Sequence, residues 1–356
     1  MNDSGFPGPY SPADSPAPSE PLAPSATPVV SEPLAVSPPA APRYTAFVGP
    51  NGIRAGWRVL IFIVFMAVVA FAFSVPVFVI SVLNKTKGPH AQIGVKFSAL
   101  TPLGVSISEA ILFLVPALAA LVMSRIEKRR WGQYGLPLRS AFGGNFWIGT
   151  LAGFLAISAC LLGIFALHGF RLTGLAIHGS LIPAATAAWA LTFILVGLAE
   201  EFSFRGYLQF TLTTGIGFWP SAVIMSLLFG LAHAGNPGET KFGLFSVVLF
   251  GLVFCFVLRR TGNLWMAVGF HAGWDWGQTY FYGVSDSGMA PYHNLFGSAF
   301  SGPAWLTGGT VGPEASIFTP IVLGIVAVVV AVVYRENRYL TESPVASAGA
   351  GVSVGG

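Results

Sequence analysis

Three groups of ionisable residues interrupt long apolar segments of the chain. They lie at 200–205, 229–233 and 271–275, where the sequence reads EEFSFR, FGLAH and HAGWD. An ionisable side chain inside a membrane span costs several kcal/mol, about 2.5–3.5 on insertion scales, so each group needs an explanation. Two imidazoles and three carboxylates are suitable for activating water or for holding a divalent metal ion. The candidate functional residues are therefore Glu200, Glu201, Arg205, His233, His271 and Asp275.

The spacing within each group indicates which side chains share a helix face. Residues four apart are neighbours on a helix, so Glu201 can pair with Arg205, and His271 lies beside Asp275. Glu200 is rotated by about 100° from Glu201 and cannot share Arg205 equally. We therefore expect Arg205 to hold one carboxylate ionised, while the other is available as a base.

A short turn near 214–217 sets the level of the first two groups. Helices joined by a short loop are antiparallel; Glu200 lies 17 residues before Gly217, and His233 lies 16 residues after it. At 1.5 Å of rise per residue, both lie on the order of 25 Å from the turn and should meet at one level. His271, which follows Arg260 by 11 residues, should lie nearer mid-membrane, so some offset between the helices is needed.

The composition excludes several classes of protein. The chain has 356 residues, of which 54% are hydrophobic and 9% charged, whereas soluble globular proteins carry about 25% charged residues. This excludes a soluble cytoplasmic enzyme and a secreted disulfide scaffold. Cys160 and Cys255 lie inside apolar runs, which disfavours a structural bridge or a zinc knuckle. The net charge of +4 comes from basic residues scattered in short loops, a pattern that sets membrane topology and does not predict nucleic-acid binding.

The hydropathy pattern predicts an all-α, polytopic membrane helix bundle with about eight transmembrane helices around a polar cavity. Residues 1–45 are rich in Pro, Ala and Ser and predict a disordered tail; 341–356 predicts a flexible C-terminal tail, and 54–340 forms the membrane domain. The Gly- and Ser-rich stretch 284–315 reads as a long loop. Glu109, early in the second span, could reach the cavity, although an interfacial position is favoured. The candidate spans are 57–83, 105–124, 146–168, 184–205, 218–234, 243–258, 263–283 and 316–334.

Lysine and arginine are distributed unevenly between the two sides of these spans. One side receives thirteen of the 18 basic residues, and a run between Arg125 and Arg130 is its strongest anchor. Cytoplasmic loops carry the excess of basic residues, so we expect a multi-pass protein of the cell membrane with both termini cytoplasmic. The remaining side receives only Lys85, Lys87, Lys96, Arg171 and Lys241.

In this order on successive apolar spans, the three groups resemble the signature motifs of the CPBP intramembrane proteases. That family includes the CAAX prenyl endopeptidases and the bacterial bacteriocin-immunity (Abi) proteins, and the resemblance covers residues 105–283. It implies an eight-helix bundle whose conical cavity holds the site, and hydrolysis of a peptide bond of a membrane-associated protein; a prenylated, CAAX-type substrate is implied only by the prenyl-endopeptidase branch. It also implies that Glu200 is the general base for water and that His233 positions that water.

The resemblance further implies that His271 and residue 275 lie near the developing oxyanion, and that Arg205 and Glu201 brace the site. One departure matters here. The prenyl endopeptidases carry Asn at the last motif position, whereas Asp275, when ionised, only accepts hydrogen bonds. Asp275 could instead orient His271 or ligate a metal. Metal dependence stays open, because the family is also discussed as a metal-free glutamate type; the candidate zinc ligands are Glu200, His233, His271 and Asp275.

Two alternatives to a hydrolase remain from the sequence. A non-catalytic membrane scaffold or bacteriocin-immunity protein would keep the same fold and act by binding, although an intact Glu200 and both histidines disfavour a degenerate site. A transporter would use the same residues as a proton relay, but transporters commonly show inverted repeats, which are not visible here. A serine nucleophile at Ser203 is disfavoured, because no His–Ser pair at fixed register accompanies it. The expected partners are the lipid bilayer and a membrane-associated peptide or protein substrate.

Overall fold

Ten helices make up most of the computed structural model, which describes residues 45–49, 52–86 and 101–339. The predicted tails, apart from Thr45, lie outside the described residues. The helices are α1 (Ala55–Thr86), α2 (Pro102–Ile126), α3 (Gly144–Ala166), α4 (Leu181–Arg205), α5 (Tyr207–Ile216), α6 (Phe218–His233), α7 (Lys241–Thr261), α8 (Trp265–Asp275), α9 (Ala304–Thr307) and α10 (Phe318–Val333). A π-helical turn, Trp276–Phe281, continues α8.

Five helical segments are long and apolar enough to cross a membrane. They are Ala55–Pro76, Pro102–Ile126, Gly144–Ala166, Leu181–Ile216 and Lys241–Thr261. The other three predicted spans are shorter: α6 and α10 have 16 residues each, and α8 has 11 before its π-helical turn. Large apolar side chains stay exposed along the outer faces, as on α1 and α10, which suits contact with lipid. The predicted class, an all-α polytopic membrane bundle, is confirmed.

Helices α3 and α8 approach each other more closely than a side chain would allow. Each carries two glycines four residues apart, Gly149 and Gly153 on α3 and Gly269 and Gly273 on α8. A Cβ atom at Gly153 would overlap the carbonyl oxygen of Phe270, and one at Gly273 would overlap that of Thr150. Small residues at this spacing let two helix backbones touch. This contact fixes the position of α8, which carries the third motif.

The predicted loop at 284–315 contains regular structure, so that prediction was wrong in part. Strand β4 (Phe296–Phe300) pairs antiparallel with β3 (Phe170–Leu175), which precedes α4. Helix α9 and a 3₁₀ turn, Pro313–Ala315, follow β4. The Gly and Ser content of this stretch gave no indication of β4, which has only five residues. A strand this short depends for its hydrogen bonds on a partner far along the chain. A second small hairpin joins β1 (Val48–Gly49) to β2 (Gly52–Ile53).

A network of hydrogen bonds around Glu127 joins α1, α2 and α5 at the end of the bundle where α2 ends. Both carboxylate oxygens of Glu127 accept from Arg58, at 2.9 and 2.6 Å. The hydroxyls of Tyr134 and Tyr207 also donate to this carboxylate. We call these four residues the Glu127 network. It lies beside the Arg125–Arg130 run. At the same end, the backbone N–H of Arg338 donates a hydrogen bond to the backbone carbonyl of Arg259, near the end of α7.

Candidate active site

Helices α4, α6 and α8 bring the three motifs together. The Oε2 atom of Glu200 lies 4.0 Å from Nε2 of His233 and 3.7 Å from Nε2 of His271. His271 Nε2 lies 3.5 Å from Oδ2 of Asp275, one helical turn away. Glu200 and His233 thus lie at one level, on either side of the turn at Gly217.

A second carboxylate, Glu201, links Arg205 to His271. Its Oε1 atom lies 3.5 Å from Nη1 of Arg205 and accepts from Nδ1 of His271 at 3.0 Å. The side chains of Glu201 and Arg205 are both fully buried. The guanidinium of Arg205 also lies over the ring of Phe229, 4.2 Å from its centroid, where the negative face of the ring attracts the cation. Glu201 is therefore shielded and paired, whereas Glu200 faces the two histidines.

Phe229 fixes the orientation of His233. Its carbonyl oxygen lies 2.9 Å from Nδ1 of His233, and the two rings pack edge to face with centroids 4.6 Å apart. Since a carbonyl only accepts, Nδ1 of His233 carries the proton. The same reasoning applies to Nδ1 of His271, whose partner is the carboxylate of Glu201. In the neutral state both histidines therefore present a bare Nε2 toward Glu200.

The gap between Glu200 and His233 has the dimensions of a water site. A water that donates both hydrogens at ordinary distances separates its two acceptors by about 4.4 Å, and the observed separation is 4.0 Å. The Oε2 atom of Glu200 is buried and has no hydrogen-bond partner among the described residues. A water between Glu200 and His233 would satisfy both acceptors and lie next to a carboxylate able to remove its proton.

The carboxylate oxygens around His271 Nε2 favour a positive charge at this atom. Carboxylate oxygens of Glu200 and Asp275 lie 3.7 and 3.5 Å from this atom, and a neutral imidazole would add a third acceptor to the same small volume. Three acceptors that converge without a donor repel one another. A proton on Nε2, or a cation between these groups, removes the conflict.

The site opens into a cavity of about 350 Å³. Its walls are mostly apolar and aromatic and include Trp189, Phe193, Phe250 and Trp274. Glu109 of α2 also lines the cavity, which is the alternative that the sequence favoured less than an interfacial position. The sequence placed Glu109 near the start of a span, but it did not show that this helix face turns toward α4.

Two acids that the sequence analysis missed, Asp286 and Glu314, lie beside Asp275. Carboxylate oxygens of these three residues all lie within 4.8 Å of one another. Burial raises the pKa of Glu314 to about 8, and the charge of Asp286 acts in the same direction. Burial also raises the pKa of Asp286. The available signal was that these two are the only acids in the stretch 284–317, although nothing in their spacing pointed to Asp275.

The predicted zinc ligands have suitable donor chemistry but do not close fully around one point. Both histidines present Nε2 while Nδ1 is hydrogen-bonded, which is the usual arrangement of metal-ligating histidines, and Glu200 Oε2 lies within 4.0 Å of each. Among the described residues, however, Asp275, Asp286 and Glu314 form the only set of three or more whose ligand atoms all lie within 4.8 Å of one another. A zinc ion at Glu200, His233 and His271 would require the rings to move closer together.

Comparison with known families supports a CAAX-type intramembrane protease fold for the segment that carries the three motifs. A family model described as type II CAAX prenyl endopeptidase, Rce1-like, matches residues 182–277. This segment contains all three motifs, and the match confirms the resemblance to the CPBP family. No curated protein matches the chain.

Proposed function

We propose that the protein is an intramembrane endopeptidase that hydrolyses a peptide bond of a membrane-associated protein by direct attack of water. The observation that carries this proposal is the gap between Glu200 and His233, two acceptors 4.0 Å apart at the wall of an apolar cavity. The Rce1-like match supports a protein substrate.

In the proposed reaction Glu200 is the general base. It removes a proton from the water while His233 Nε2 accepts the other hydrogen, and the water oxygen attacks the carbonyl carbon of the scissile bond. Protonated His271 donates from Nε2 to the oxyanion that forms, and Glu201 holds the ring through Nδ1. When the carbon–nitrogen bond breaks, Glu200 returns its proton to the leaving nitrogen, so protons balance without a covalent intermediate.

Asp275 takes a different part from the Asn of the prenyl endopeptidases. An ionised carboxylate cannot donate to an oxyanion, but it lies 3.5 Å from His271 Nε2 and stabilises the protonated ring. If a zinc ion binds, Glu200, His233 and His271 would hold it, with Asp275 as the fourth candidate, and the metal would polarise the carbonyl and lower the pKa of bound water.

The test is cleavage of a panel of prenylated and unprenylated peptides by the purified full chain. Wild type, Glu200→Gln and the control Glu336→Gln are run side by side, with and without a chelator. General-base catalysis contributes about 10²–10⁴-fold to a rate. Glu200→Gln should therefore lower the cleavage rate by about 10²-fold or more. Glu336→Gln should match wild type, because Glu336 is exposed and far from the site.

Two outcomes would contradict the proposal. A folded Glu200→Gln variant that cleaves at the wild-type rate removes Glu200 as the base. A cellular effect that persists in Glu200→Gln while wild type cleaves no peptide favours the non-catalytic scaffold. Loss of wild-type cleavage with chelator assigns the reaction to a metal.

A further inference from the structure

Among the described residues, the loop residues that line the cavity come from one end of the bundle, which we take as its mouth. They belong to the connection between α6 and α7 and to the connection between α8 and α10: Asn236, Asp286, Ser287, Met289, Ala290 and Glu314. Met289 and Ala290 are exposed. Within the described chain, the connections at the other end, 127–143 and 262–264, contribute no residue to this cavity.

The basic residues lie at the end without the mouth. The connection between α2 and α3 carries Lys128, Arg129, Arg130 and Arg139, and α7 ends in Arg259 and Arg260. Hydrogen bonds join this end of the bundle: the backbone N–H of Leu264, just after α7, donates to the carbonyl of Gly135 in the α2–α3 connection at 2.8 Å, and Arg260 Nη1 donates to the carbonyl of Arg335 at 2.7 Å.

The end that carries the mouth has few positive charges. The connection from Tyr282 to Ile317 contains no lysine or arginine, and the one from Ala234 to Thr240 contains none either. Short cytoplasmic loops retain lysine and arginine because positively charged segments resist translocation. The α2–α3 connection is therefore the segment expected to stay in the cytoplasm, and the 282–317 connection is the segment expected to cross.

We infer that the catalytic cavity opens on the extracytoplasmic face of the membrane. Glu200, His233 and His271 are then reached from that face, and Asp286, Ser287 and Glu314 line the way to them. The Glu127 network lies at the cytoplasmic end, where its Tyr134 and Tyr207 pack with Phe202 and Phe210 in one hydrophobic core.

This placement restricts the substrate class, and this step rests on the proposed function. The substrate is a membrane-anchored protein whose scissile bond has crossed to the extracytoplasmic side. An extended apolar segment suits the aromatic walls of the cavity. A lipid-modified C-terminus that remains in the cytoplasm does not reach Glu200. The unprenylated peptides of the panel are therefore the better candidates for cleavage.

Cysteine labelling of whole cells tests the inference without depending on activity. Ala290→Cys places a thiol at the mouth, and Leu138→Cys places one at the basic end, where Leu138 is 77% exposed. The native Cys160 and Cys255 are buried, so wild type is the background control. A membrane-impermeant maleimide is added to intact cells expressing the full chain, and in parallel after lysis.

The inference predicts that Ala290→Cys is labelled equally before and after lysis, and that Leu138→Cys is labelled only after lysis. The reverse pattern, or the same pattern at both positions, overturns it. If Ala290→Cys fails to fold, Met289→Cys takes its place at the same mouth. An inverted labelling pattern with intact peptide cleavage rejects only the orientation. The expected pattern with no cleavage by wild type rejects only the proposed function.

Discussion

The protein contains two buried clusters in which a glutamate meets an arginine, and they differ in how completely their polar atoms are paired. In the Glu127 network both carboxylate oxygens accept from Arg58, and two tyrosines add further hydrogen bonds. In the candidate active site, Glu200 Oε2, Glu201 Oε2 and two nitrogens of Arg205 have no partner among the described residues. Both clusters lie in the same, largely apolar protein.

This difference separates a structural cluster from one suited to catalysis. Buried polar groups are normally hydrogen-bonded, and leaving one unpaired costs about 1–3 kcal/mol. The Glu127 network avoids that cost and joins three helices. The candidate active site bears it, because its geometry is imposed by α3, α8 and the ring of Phe229, and its unpaired oxygens remain available to water.

The largest effect expected from this comparison is on the stability of the Glu127 network. Glu127→Gln leaves Arg58 as an uncompensated buried charge, and removal of one partner of a buried pair typically costs about 3–5 kcal/mol. Unfolding in detergent should show this loss, while the cleavage rate per folded molecule stays at the wild-type value. A Glu127→Gln variant as stable as Glu336→Gln would show that the network does not hold the helices together.

The pH dependence of stability should come from the mouth of the cavity. Because the pKa of Glu314 is raised to about 8, the fold favours its neutral form, and stability falls as pH rises. Between pH 5 and pH 8 the loss should be about 3 kcal/mol. The groups that face it are Asp286, Ser287, Asp275 and His271.

Glu314→Gln removes this ionisation and should flatten the stability profile over the same pH range. Thermal unfolding of wild type and Glu314→Gln, at several pH values in chelator, measures the difference. Parallel profiles for the two proteins would show that Glu314 is not the titrating group.

A smaller effect is expected where α3 and α8 touch. A side chain at Gly153 would collide with the backbone at Phe270, and overpacking of this kind costs about 1–3 kcal/mol. Gly153→Val should therefore lower both stability and cleavage, because α8 carries His271. Gly324→Val on α10, where a Cβ meets nothing within 4 Å, is the matched control. Equal behaviour of the two variants would mean that the close contact does not position the site.

The sequence was informative where a short-range rule applied. Spacings of four residues predicted the contacts of Arg205 with Glu201 and of His271 with Asp275, and the counts on either side of Gly217 predicted the level shared by Glu200 and His233. These relations depend on helix geometry alone.

Long-range relations could not be predicted from one sequence. Pairing of β3 with β4 joins residues about 125 positions apart, and the approach of Glu314 to Asp275 depends on how the whole 282–317 connection folds back. One sequence also does not determine how a helix is rotated about its axis. For this reason an interfacial position was favoured for Glu109, which lines the cavity. In each case the partner is set by tertiary packing and has no local signature.

The short helices around the site have a consequence for the lipid bilayer. Helices α6 and α10 have 16 residues each, about 24 Å at the rise of an α-helix, whereas a typical hydrocarbon core is about 30 Å thick. Both expose branched apolar side chains along their length, so lipid must shorten to match them. Thinning of the surrounding bilayer is one response to such a mismatch, and it brings water closer to the depth of His233, the last residue of α6.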